Sequence, residues 1–182
     1  MEEENILIHQ NLALMYKGNI ITLVSMIFMI IPFINLLALI AALVGTVMSI
    51  VGLVKLRNIH TDYMNAVFAM ILSFVFGLFS NGNTVFSNIM GLLQSLASLA
   101  MVYFVIRATN YLMEGRWAED VIRFGDKVWK IQLAAFIAVA VCVVLAMIWV
   151  MLAVVGLIVT LVVSIIAQIM FLQYLGRASR VF

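Results

Sequence analysis

Residues 130–177 read KIQLAAFIAVAVCVVLAMIWVMLAVVGLIVTLVVSIIAQIMFLQYLGR, with 46 uncharged residues between Lys130 and Arg177. A helix crosses the hydrocarbon core of a bilayer in about 20 apolar residues, with a range of about 17–25. The run is too long for one crossing and suited to two. Two further runs have the same character: 37 uncharged residues separate Lys17 from Lys55, and 44 separate Asp62 from Arg107. Three runs crossed twice predict an all-α polytopic transmembrane bundle, six helices arranged as three hairpins.

The turns are marked unequally. Pro32 to Asn35 interrupts the first run, because proline removes a backbone donor and clashes with the preceding turn. Ser80-Asn81-Gly82-Asn83 interrupts the second. The third has no comparable break, and its turn is expected near 151–156. The expected helices are 13–33, 35–56, 63–80, 84–109, 129–151 and 154–176. One membrane domain, 1–182, then divides into an N-terminal segment 1–16, hairpins 17–57, 62–109 and 129–177, and a linker 110–128.

Composition agrees. The chain is 66% hydrophobic and 10% charged, with a mean hydropathy of +1.23, where soluble domains carry about 45–50% and about 25%. So few charges cannot cover a soluble globule. The acidic start, Glu2-Glu3-Glu4, is unlike the basic beginning of a cleavable signal peptide. Cys142 is the single cysteine, which leaves no intrachain disulfide. Without a basic patch interleaved with aromatics, nucleic acid is not an expected partner. The lipid bilayer is.

Orientation follows from the cations. Lys17, Lys55, Arg57, Arg107, Arg116, Arg123, Lys127, Lys130, Arg177 and Arg180 all flank the uncharged runs, and the expected hairpin tips carry no charge. Basic flanks stay on the cytoplasmic side. Both termini and both linkers are therefore expected in the cytoplasm, with the chain in a bacterial or archaeal cytoplasmic membrane.

The hairpin ends resemble one another: Val51-Gly52-Leu53-Val54-Lys55-Leu56-Arg57, Tyr103-Phe104-Val105-Ile106-Arg107 and Tyr174-Leu175-Gly176-Arg177. A weak threefold internal repeat is one reading. The other is that any helix leaving toward a basic flank ends this way, its cation complementing the helix dipole.

Small and polar residues recur along the second helix of each hairpin. Ala41, Gly45, Ser49 and Gly52 form a small-residue packing face. Gly91, Gln94, Ser95 and Ser98 follow in the second hairpin, and Gly156, Thr160, Ser164 and Gln168 in the third. Such stripes let backbones approach and hydrogen-bond across the contact. Gln94, Ser95, Ser98, Thr160, Ser164 and Gln168 are also the candidate lining of a pathway. Ala134, Ala138, Cys142 and Ala146 make a similar stripe with nothing polar in it, which favours packing.

In the linker, Gly115 and Gly125 bracket an expected short helix, 116–124. Trp117, Val121 and Phe124 share one face, suited to the membrane interface, with Trp129 as a headgroup-level anchor. A helix docking in a partner's groove would look similar. Ile8, Leu12 and Met15 give the N-terminal segment the same two readings.

The chemistry is sparse. Lys17, Lys55, Arg107 and Lys130 fall only near the ends of expected helices and no charged residue lies inside a span, which argues against proton relays and ion coupling. His9 and His60 lack a ligand cluster, so neither a metal nor a cofactor is expected. There is no H-E-x-x-H, G-x-S-x-G or G-x-x-x-x-G-K-[ST] motif. The expected function is non-enzymatic: an accessory or structural subunit packing with copies of itself or other membrane chains. The alternative is a small transport protein, an oligomeric pore or a substrate-binding subunit, its small-molecule substrate unknown.

Overall fold

Six α-helices account for nearly the whole chain: α1 (Glu2–Phe28), α2 (Asn35–Leu56), α3 (Thr61–Phe79), α4 (Val85–Met113), α5 (Glu119–Ile148) and α6 (Val150–Ala178). The computed structural model describes every residue except Met1, Met29, Ile30, Pro32, Asn81, Asn83 and Trp149, and every side chain except those and the rest of 146–155 and 157. All six helices are long and apolar enough to cross a membrane, and the described residues contain no strand. An integral membrane protein is the class these helices fit.

α1 and α5 begin ten or more residues before their expected starts. α1 is continuous from Glu2, so the expected N-terminal segment 1–16 is its first half. Nothing between Glu2 and Phe28 breaks a helix: Gly18 is alone, and the Asn11 and Asn19 amides donate to the carbonyls of Leu7 and Met15, at 2.7 and 2.8 Å. α5 starts at Glu119 and runs through Gly125, so the expected linker helix 116–124 is helical only from Glu119, as the first turns of α5. The break lies just before it. Gly115 adopts φ +78°, the left-handed position that commonly ends a helix, while the Glu114 N–H reaches the Asn110 carbonyl at 3.1 Å. α6 begins at Val150, so the expected turn at 151–156 is helical. Residues Pro32, Asn81 and Asn83 of the other two expected turns lie outside the described residues.

α1 packs along α2, α3 along α4 and α5 along α6. Lesser contacts join α2 to α3, α4 to α5 and α6 back to α1, so the six helices close a ring. Side chains from all six elements meet at the charged end. There Leu12, Leu56, Tyr63, Val105, Val128, Tyr174 and Leu175 are fully buried in one cluster. The N-terminal half of α1 supplies Ile8, Leu12 and Met15 to it. The far halves differ: Leu36, Leu37 and Phe33 near the first tip are 71%, 68% and 98% exposed, and Ile158, Val159, Leu161 and Val162 of α6 are also exposed. A water-free bilayer core is the solvent that such arcs require.

Candidate functional site

The small-residue face of α2 lies against α1. A Cβ on Gly45 would come within 2.5 Å of the Gly18 carbonyl, and one on Gly52 within 2.6 Å of Met15 Cγ. Ser49 is buried, donating to the Gly45 carbonyl at 3.1 Å and accepting from Asn19 Nδ2 at 3.2 Å. Ala41 is half-buried beside an apolar cavity of about 360 Å³ between the outer halves of the two helices, lined also by Ile20, Val24, Phe28 and Leu37. This face is occupied by the chain's own first helix.

The α4 stripe turns toward α3. Ser98 Oγ and Ser73 Oγ are 2.7 Å apart, and Gln94 packs where a Cβ on Gly77 would meet its amide at 3.0 Å. Ser95 donates to the Gly91 carbonyl of its own helix at 2.9 Å. In α6 the expected stripe divides. Thr160 is buried, Gln168 is half-buried and Ser164 is exposed. A step of four residues advances about 40° around a helix of 3.6 residues per turn, so a strict four-residue series leaves its face. The buried series is instead Thr160, Ala167, Phe171, Tyr174 and Ala178.

The linker residues separate in the same way. Trp117 stands before α5 at φ +57° and is 99% exposed. Val121 belongs to the core cluster, and Phe124 packs against it beneath the Arg177 guanidinium, 4.4 Å from the ring centre. Trp129 meets Tyr103 of α4, ring centres 4.8 Å apart.

A polar site that the sequence reading did not single out sits at the charged end. A cavity of about 390 Å³ is lined by His60, Tyr103, Ile106, Arg107, Asn110, Tyr111, Glu114, Asp126 and Trp129. His60 caps α3, its ring Nδ1 accepting from the Asp62 N–H at 3.2 Å. The His60 and Tyr111 rings lie 5.0 Å apart. Arg107 Nε pairs with Asp62 at 3.4 Å, and Asn65 donates to the same carboxylate at 3.1 Å. Behind the cavity, Tyr63 and Thr109 hydroxyls are 2.9 Å apart, and Tyr174 donates to Asn110 Oδ1 at 2.7 Å. The Asn110 amide in turn donates to Asp126 Oδ1 at 3.3 Å. The signal for this site was dispersed over three elements, and only the fold brings it together. Among the described residues, no three of His, Cys, Asp and Glu are grouped to hold a metal ion.

No known protein family matches the chain, and no characterised protein or solved structure is significantly similar to it.

Proposed function

We propose that the chain is a non-enzymatic structural or accessory subunit of a membrane assembly, built as three tandem hairpins with both termini and its basic ends on the cytoplasmic side. The observation that carries this reading is the use made of the small and polar stripes. Gly45, Ser49 and Gly52 seat α1, and Gln94 and Ser98 engage α3. Side chains that a conduit needs along its axis are spent holding neighbouring helices together, so the transport reading has the weaker support. Partners, whether copies or other chains, then meet the apolar outer arcs of α2 and α6 rather than the glycine face.

The threefold repeat is part of the same proposal, and packing supports it beyond the similar hairpin ends. A Cβ on Gly45 would meet Thr22 Oγ1 at 2.5 Å, Ser73 touches Ser98, and Gln132 donates to the Ala167 carbonyl at 3.2 Å. These contacts occupy corresponding places in the three pairs. A shift of 110 (118 − 8) carries Ile8, Asn11, Met15, Gly18 and Ser25 onto Ala118, Val121, Gly125, Val128 and Ala135, and all ten are buried. Size is exchanged at one such contact: Met15 covers Gly52 in the first pair, and Tyr174 covers Gly125 in the third. Three like hairpins, each second helix touching the first of the next, make the ring.

Detergent-solubilised mass and co-purifying chains test the proposal. The expected particle exceeds the 20.3 kDa of one chain. A lone monomer whose cysteine replacements at Gln94, Ser98, Thr160 and Gln168 all react with aqueous reagents would overturn it in favour of transport.

A further inference from the structure

We propose that the cavity at the charged end holds the headgroup of a zwitterionic phospholipid, its phosphate on Arg107 and its amine between Glu114 and Asp126. At about 390 Å³ the cavity is within the range of about 300–1,000 Å³ usual for small-ligand sites. Its walls carry both signs of charge together with three aromatic rings. Arg107 is held by Asp62 through Nε, so the two amino groups of its fork remain for an anion, and guanidinium geometry suits phosphate. Asp126 is fixed through one oxygen by Asn110, which leaves the other to accept from an ammonium group. The faces of Tyr103, Tyr111 and Trp129 add the quadrupole attraction that aromatic rings offer to cations.

The occupant is argued from position and charge. The site lies where α4 and α5 leave their uncharged stretches, the depth of the headgroups whichever side of the membrane it faces. The half-buried rings of Tyr103 and Trp129 give the adjoining acyl chains an apolar wall. Two carboxylates beside the cavity repel a purely anionic lipid, and the guanidinium repels a cationic one. A zwitterion satisfies both. The inference does not depend on the subunit role proposed above.

The test is native mass spectrometry of the full chain in detergent, titrated with dioleoyl phosphatidylethanolamine or dioleoyl phosphatidylglycerol. Phosphatidylethanolamine is expected to be retained in preference. Losing one charged hydrogen bond in Arg107→Gln or Asp126→Asn should weaken its binding about tenfold, and Asp126→Asn should also raise the relative retention of phosphatidylglycerol. Glu114→Gln, at an exposed residue outside the packed core, should lower the preference with the fold intact. Equal retention of the two lipids by the wild type overturns the proposal. So does unchanged phosphatidylethanolamine binding in Glu114→Gln and Asp126→Asn. Displacement of the lipid by free phosphoethanolamine would assign the site to a soluble zwitterion instead.

Discussion

At the scale of single residues, the fold turns on close backbone approach. Gly18 and Gly45 face each other so closely that a Cβ on either meets the other's carbonyl at 2.5 Å. Gly45→Leu therefore has to separate α1 from α2, and overpacking of this kind costs about 1–3 kcal/mol. A clear drop in melting temperature in detergent is the expected result, and an unchanged melt would remove the contact from the account. Gly125 and Tyr174 make a second such contact, at 2.7 Å from the ring. Gly125→Ala should destabilise the wild type and cost less in a Tyr174→Ala background, where the Asn110 Oδ1 contact at 2.9 Å remains, a coupling of about 0.5–3 kcal/mol between contacting residues. Additive effects would contradict the packing described for Gly125. Glycines of this kind were visible in the sequence, but their partners were not. Gly45 could equally have faced a second copy, and only the fold assigns it to Gly18.

At the scale of the elements, all six helices are legible in the sequence and several of their ends are not. The uncharged runs are a coarse signal, and they count long apolar helices well because bilayer thickness sets the length such helices need. They do not mark where a helix continues past the charge. α1 keeps its helical hydrogen bonds through Lys17 because that side chain is exposed and nothing near it breaks the ladder. α5 keeps its bonds through Gly125, which looked like a boundary and is instead a packing site. The polar stripe on α6 was legible only in part, since spacing by four drifts off the face that a period of 3.6 keeps buried. One consequence is specific. Leu12 is fully buried, so Leu12→Ala should cost about 2–5 kcal/mol, as core leucines do. A docking segment outside the core would tolerate the change, and thermal unfolding distinguishes the two.

For the molecule as a whole, packing and charge coincide. The buried cluster, the Asp62–Arg107 pair, the Tyr174–Asn110–Asp126 chain and the contacts of His9 with the Ser179 carbonyl and of Arg116 with the Phe182 ring all lie at one end. The other end presents apolar side chains and a second, apolar cavity. Such polarity is what a bilayer with one basic-side boundary selects. The polar site is not legible in the sequence because its members come from the α3 cap, α4 and α5, with His60 43 residues (103 − 60) before Tyr103, and match no motif. In a Cys142→Ala background, Phe33→Cys and Trp117→Cys place one thiol at each end, both on residues almost wholly exposed. With a membrane-impermeant maleimide on intact cells, the account predicts labelling at position 33 and none at 117 until the membrane is permeabilised. Labelling of both in intact cells, or of 33 only after permeabilisation, would contradict it.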